Sequence, residues 1–501
     1  MIDYTLAQIA DIVGGELTDG ADPAAKVTGF VEFDSRKVTA GGLFVALPGE
    51  RVDGHDFAAG AIDRGAAAVL AAHPVGVPAI VVTPADNTPQ AASEAVVTAM
   101  SDLAAAVAKQ LTEEHGLTIV GITGSAGKTS TKDLAAAVVG KAGSTVAPPG
   151  SFNNEIGHPY TVLRCDEDTD FLIAEMSARG IGHIRHLAQI ARPRIGVVLN
   201  VGTAHLGEFG SRENIAQAKG ELIEALPSAA EGGVAILNAD DPFVLGMAPR
   251  TTARVVTISS AQPPAPTADY QATGIMLDDV ARASFTLHAR GQDPVKVRLQ
   301  VFGAHQVSNA LAAAAVGVES GMSAAQVAEA LNNHYAASAH RMDVNTRPDG
   351  VTVINDSYNA NPESMRAGVA ALAYTASSRP GVRSIAVLGE MGELGEDGRA
   401  EHVTLGEELA RFNVGYLVTV GASPNCRAMT EEAARRGITT TVAENNDEAT
   451  AAVEAILASP NTDQETYVGG TAGGGDVVLV KASNSARLWE VAEKLLGRGS
   501  R

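Results

Sequence analysis

Gly124-Ser125-Ala126-Gly127-Lys128-Thr129-Ser130-Thr131 stands between an apolar stretch, Leu117-Thr118-Ile119-Val120-Gly121-Ile122, and a segment whose helical spacing starts at about Lys132. A turn of this kind, at a junction of strand and helix, aims backbone N–H groups and a helix N-terminus at phosphate oxygens. The lysine neutralises the terminal phosphates and the threonine hydroxyl reaches Mg2+. ATP is therefore the ligand expected at Gly124, Ser125, Ala126, Gly127, Lys128, Thr129 and Ser130. The first glycine of the general pattern G-x-x-x-x-G-K-[ST] falls on Ile122, so the loop reads as a shortened variant.

Working outward, strands at Phe171 to Ala174 and Ile195 to Leu199 alternate with helical spacing, which predicts a doubly wound parallel sheet. Glu175 follows the first of these strands, at the end where parallel sheets present ligand-binding groups. Taken alone it reads equally as a Mg2+ ligand or as a capping, salt-bridged glutamate. His205, just after the second strand, reads in the same two ways, and a lone histidine is usually structural.

Towards the N-terminus, a helix over Thr5 to Val13 and short strands at Gly42 to Leu47, Ala67 to Leu70 and Ala79 to Val82 predict a small α/β domain. An amphipathic helix around Glu94 to Gln110 closes it, and a boundary is expected near residue 110. Between about 250 and 302 the alternating runs Ala283 to His288 and Val295 to Val301 predict an antiparallel insertion. From Val351 onward strand–helix pairs restart, at Val351 to Ile354, Ser384 to Leu388, Tyr416 to Val420 and Val477 to Val480. The glycine-rich stretch Gly469 to Gly475 reads as a surface loop.

The expected fold is thus α/β in three domains. They are a small N-terminal α/β domain over 1–110, a central P-loop ATPase domain over 111–340 with parallel sheet and antiparallel insertion, and a Rossmann-like C-terminal domain over 341–501. A net charge of -21 argues against a nucleic-acid partner, whose phosphates require a basic footprint. Cys165 and Cys426 are too few for a disulfide framework and fit a reducing cytoplasm. The N-terminal residues do not form a secretory leader, and His73, Pro74 and Pro78 interrupt the apolar stretch Gly65 to Val82, so no membrane insertion is expected.

Four segments taken together carry more than the phosphate loop alone: Thr123 to Thr129, Ser151-Phe152-Asn153-Asn154-Glu155-Ile156-Gly157, Asn200 to His205, and Asp356-Ser357-Tyr358-Asn359-Ala360-Asn361-Pro362. In this order they resemble the Mur ligase family. The likeness extends to Asp34-Ser35-Arg36, Asp53-Gly54-His55-Asp56 and Leu388 to Gly395. It implies an ATP-dependent amide ligase acting on UDP-N-acetylmuramoyl-tripeptide and D-alanyl-D-alanine through an acyl phosphate, as a monomer. It also implies that Lys128 and Thr129 serve ATP and Mg2+, and that Glu175 and His205 hold divalent metal. Lys219 matches a position that many family members carbamylate, although an exposed helical lysine reads as well. Asn309 resembles the adenine contact, and Arg341 and Asp356 resemble groups closing over the nucleotide from the domain junction. A glycine is expected before Arg341, where the chain has His340. Ser35 and Arg36 match the part handling the UDP-sugar, against an equal reading of Arg36 as a surface arginine. Asn153, Asn154, Tyr358, Asn359 and Asn361 match the acceptor and dipeptide side, with turn formation a serious competitor for each asparagine. A P-loop ATPase switch, or another amino-acid ligase of the same type, is the alternative.

Overall fold

The computed structural model describes residues 2–49, 52–203, 206–335, 338–379, 381–460 and 475–498. His205 and most of the Gly469 to Gly475 stretch lie outside them. Three sheets account for the strands. The first runs Glu16–Thr18, Ala79–Val81, Ala68–Ala71, Leu43–Val45 and Val31–Glu32 across its width, parallel except at the Glu16–Thr18 edge.

The second sheet has nine strands and carries the phosphate loop. Its order is Val295–Phe302, Arg282–Ala289, Tyr270–Leu277, Arg254–Ser259, Val234–Asn238, Ile195–Val198, Thr118–Thr123, Phe171–Glu175 and Thr145–Val146. The predicted antiparallel strands are present, Arg282–Ala289 pairing antiparallel with both Tyr270–Leu277 and Val295–Phe302. Arg254–Ser259 pairs parallel with Val234–Asn238 and Tyr270–Leu277 pairs parallel with it, so the antiparallel strands prolong the parallel sheet. Three parallel strands of this sheet escaped the sequence reading: the two-residue Thr145–Val146, Val234–Asn238, and Arg254–Ser259, whose exposed Arg254 and half-buried Thr257 break its apolar run. Thr118–Thr123 and Phe171–Glu175 are buried over nearly their whole length, as the apolar runs require of strands covered on both faces.

The third sheet runs Asp343–Thr346, Thr352–Asn355, Val477–Lys481, Ser384–Leu388, Tyr416–Val420 and Thr439–Ala443, antiparallel only at its first pair. Helix Pro89–Glu114 joins the first two sheets. Thr88 caps it by accepting the Ala91 N–H, and proline occupies its first turn, where a missing N–H costs nothing. Among the described residues it is the one helix long and apolar enough to cross a membrane by length and composition, and half of its apolar window is buried inside the protein. Its Val96, Leu103 and Val107 belong to one continuous apolar cluster with Leu43, Leu70 and Ile80 of the first sheet, Leu172 of the second, and Leu187 and Leu222 of helices His183–Ala191 and Arg212–Glu224. The third sheet has separate clusters on its two faces.

Candidate active site

The phosphate-loop helix spans Lys128–Val139, four residues earlier than the apolar spacing indicates, because Lys128-Thr129-Ser130-Thr131 are polar residues forming its first turn. Gly127 precedes it with φ +83°, and a Cβ there would stand 2.5 Å from Asn309 Oδ1, so the loop needs glycine on both counts. Asn200 fastens the loop from the neighbouring strand end. Its Oδ1 accepts the Ala126 N–H at 2.8 Å, its Nδ2 donates to the Ala126 carbonyl at 3.1 Å, and its own carbonyl accepts the Ser125 N–H. Ser125 Oγ accepts the Gly202 N–H at 2.9 Å.

Lys128 folds back to donate to the Gly124 carbonyl at 2.7 Å. Desolvation lowers its pKa, with Arg341 pushing the same way and Glu175 opposing. Glu175 is 1% exposed. Its Oε2 accepts the Thr129 hydroxyl at 2.8 Å and its Oε1 accepts Asn153 Nδ2 at 2.7 Å. Thr129 Oγ1 is also 3.0 Å from Ser151 Oγ, to which Arg341 donates at 2.6 Å. Arg341 comes from the far side of the cleft, where its guanidinium lies 4.1 Å from the centre of the Tyr358 ring. His340 accepts the role of the expected glycine by adopting φ +60°, and Met342 follows at φ +49°. His340 Nδ1 meets Asn355 Nδ2 at 3.0 Å and its ring stacks on Trp489.

The opposite wall is the Asp356–Asn361 loop. Asp356 Oδ1 accepts the Met342 N–H, and Lys481 Nζ stands 2.6 Å from Asp356 Oδ2. Asn361 caps helix Pro362–Ser377 through the Ser364 N–H and reaches the Ser125 carbonyl at 3.4 Å. Asn359 Oδ1 accepts the next backbone N–H, of Ala360, and Asn154 Oδ1 accepts the Gly157 N–H, so both side chains form turns while lining the cleft. Phosphate loop, Glu175, Asn309, Arg341, Asp356 and Tyr358 together surround a cavity of about 810 Å3. Lys219 lies behind it on helix Arg212–Glu224, 5% exposed, its pKa held well below the ordinary lysine value by desolvation and by Lys128, with Glu363 opposing.

Ser35 and Arg36 are not brought into this cleft. They form a short turn in the first domain, where Arg36 gives two N–H groups to Asp34 and its side chain is 82% exposed. Four participants had no assigned role from sequence. Ser151 and Asn200 lay inside recognised segments without one; Lys481 ends an apolar strand, a signal available but unused; Glu363 accepts Thr203 N–H and Oγ1 across the junction, which no local pattern announces.

Three family models match in succession: the Mur ligase family catalytic domain over residues 28–122, the Mur ligase middle domain over 122–317, and the Mur ligase glutamate ligase domain over 340–484. The chain is a Mur ligase. This Mur ligase is 53% identical to the UDP-N-acetylmuramoyl-tripeptide--D-alanyl-D-alanine ligase of Mycobacterium tuberculosis, over 99% of the chain and 98% of that relative. It is 37% identical to the enzyme of the same name from Escherichia coli K12, over 84% and 86% of the two chains. Among solved structures it resembles MurF from Acinetobacter baumannii, with a TM-score of 0.82 at 27% identity and 99% coverage of both chains. The MurF ligase of Thermotoga maritima in complex with ADP superposes with a TM-score of 0.74 at 26% identity, over 94% of this Mur ligase and 98% of that chain.

Proposed function

We propose that this Mur ligase uses ATP to join the terminal carboxylate of UDP-N-acetylmuramoyl-tripeptide to the amine of D-alanyl-D-alanine, releasing ADP and phosphate. The observation that carries the reading is the convergence of Lys128, the Thr129–Glu175 pair and Arg341 on one cleft, from two sheets. The choice of substrates draws on the names of the relatives that match over the whole length.

A carboxylate is a poor electrophile and oxide a poor leaving group, so the first step transfers a phosphoryl group. A carboxylate oxygen attacks the γ-phosphorus, the bond to the β-phosphate oxygen breaks, and ADP leaves. Lys128 and Arg341 stabilise the charge spread over the equatorial oxygens, chiefly by position. The dipeptide nitrogen, as free amine, then attacks the acyl carbon, the carbon–oxygen bond breaks, phosphate departs and the nitrogen loses a proton. Asn309 contacts the adenine, and Asn153, Asn154, Tyr358, Asn359 and Asn361 hold the acceptor side. Ser35 and Arg36 belong to a separate UDP-sugar subsite in residues 1–110, while 111–340 binds ATP and 341–501 closes over it.

Mg2+ suits the donor set: Thr129 hydroxyl and Glu175 carboxylate are hard oxygen ligands already within 2.8 Å of each other. When bound it neutralises phosphate charge. His205 and Lys219 would join Thr129 and Glu175 in holding the ion, a role that the family resemblance assigns to them. The depressed pKa of Lys219 favours the neutral amine, the form that takes up carbon dioxide as a carbamate. The C-terminal segment already reaches the central one at three places, Asn361 at Ser125 of the phosphate loop, Arg341 at Ser151 and Glu363 at Thr203, contacts from which closure over bound substrates would shield an acyl phosphate from water. We place the reaction in the cytoplasm, consistent with two free buried cysteines.

The test is ATP-dependent phosphate release with both substrates and with each omitted, the nucleotide-linked product being followed by mass. Release that requires both, with a product heavier by the dipeptide residue, is expected. Release without either, and no heavier product, would favour an ATPase switch.

A further inference from the structure

Lys481 has no part in the reaction as described. It ends Val477–Lys481, a strand paired in parallel on both sides, and so stands at the carboxyl edge of the middle of the third sheet, where such sheets present functional groups. The side chain is 2% exposed. Its stem passes beneath helix Pro362–Ser377 at Gly368, where a Cβ would lie 3.3 Å from Lys481 Cδ.

An ammonium has three N–H donors. Here three oxygens of one loop receive them: Asp356 Oδ2 at 2.6 Å, the Asn359 carbonyl at 2.8 Å and the Asp356 carbonyl at 3.2 Å. A lysine retained only to balance a buried carboxylate would need the first of these. The other two grip the backbone on either side of Ser357 and Tyr358. The same loop pins the Arg341 turn from both flanks, since Asp356 Oδ1 accepts the Met342 N–H at 3.0 Å and the Tyr358 N–H donates to the His340 carbonyl at 3.0 Å. Both pinned residues hold positive φ, a conformation that side-chain-bearing residues keep only when their surroundings impose it.

We infer that Lys481 is a positioning residue for phosphoryl transfer: it locks the Asp356–Asn361 loop, and through that loop the strained turn that aims Arg341 across the cleft. Lys481 acts through these groups and touches no reacting atom. The inference rests on the proposed ligase activity, whose failure is visible beforehand as wild-type protein that makes no heavier product.

Lys481→Met, Asp356→Asn and the double variant are to be compared in steady-state ligation, with melting curves for each. Lys481→Met is expected to lower kcat roughly a hundredfold while KM for the UDP-linked substrate, held elsewhere, moves less than about threefold. The double variant is expected to be no slower than the slower single one, because the two residues serve one geometry. Lys481→Gln, which keeps amide donors without the charge, carries the test if the methionine variant does not fold; an intermediate kcat is expected. A kcat close to wild type in folded Lys481→Met or Lys481→Gln protein overturns the inference, as do losses that multiply in the double variant.

Discussion

Two sets of enclosed cations in this molecule are treated in opposite ways. At the cleft, Lys128 spends its ammonium on a backbone carbonyl, and behind it Lys219 sits at 5% exposure; desolvation lowers the pKa of both, and Lys128 makes the charge of Lys219 more costly still. In the third sheet, Lys481 is matched by Asp356, and Arg383 gives two side-chain N–H groups to Asp476, whose other oxygen accepts the Arg383 backbone N–H. Lys132, one turn beyond Lys128 on the same helix, is matched too, by Asp133 and two carbonyls. Compensation is therefore assigned residue by residue. Lys481, Arg383 and Lys132 each receive an anion from the protein, whereas Lys128 makes no ion pair among the described residues, the disposition that the proposed reaction asks of a group meeting a substrate anion.

The comparison is most directly broken at Lys128. Lys128→Met should reduce kcat/KM on the order of a thousandfold, the loss of one charge-stabilising group in a preorganised site. Thermal stability should hold or rise, because a desolvated charge is removed. A melting temperature that falls with the activity would show Lys128 to be structural after all.

Asp476→Ala makes the opposite forecast. It leaves Arg383 enclosed without its anion, and urea unfolding should show a loss of about 3–5 kcal/mol. Turnover per folded molecule should stay near wild type, since neither residue lines the cleft. A small stability change would mean that the Ser459 and Leu457 carbonyl contacts of Arg383 suffice alone.

His158 supplies a third treatment, neutrality. Its Nε2–H donates to the Leu187 carbonyl at 3.0 Å, and burial brings its pKa down to about 4 from the ordinary 6.5. Because the folded value lies below the unfolded one, its contribution is complete above pH 6.5 and drains away as pH falls towards 4. Wild type should lose about 2–3 kcal/mol more than His158→Gln between pH 7 and 4.5, read from urea midpoints. Parallel pH profiles would remove His158 from the argument.

The phosphate loop and Glu175 were legible because each is a local event: a polar turn or a carboxylate at the end of an apolar run, which the sheet then places at its carboxyl edge. What escaped depends on distance along the chain. Lys481 and Asp356 are 125 residues apart, and Glu363 reaches Thr203 over 160, so no spacing rule links them. Edge strands Asp343–Thr346, half-buried, and Thr439–Ala443, largely exposed, escaped for another reason: mostly polar sequences without buried alternation lack the mark of a strand. The helix start was misplaced because the polar residues Lys128 to Thr131 form the helix's first turn, with no apolar residue to mark it.

The apolar cluster shared by the first two sheets has a consequence for how the molecule comes apart. Helix Pro89–Glu114 buries one face against both, so neither can lose its packing without exposing the other's, and the two answer heat or denaturant as a single cooperative unit. The third sheet, with clusters of its own, forms a second unit. A molecule in which only the third sheet has come apart therefore keeps Lys128 and Glu175 in register while Arg341 and its supporting loop are gone.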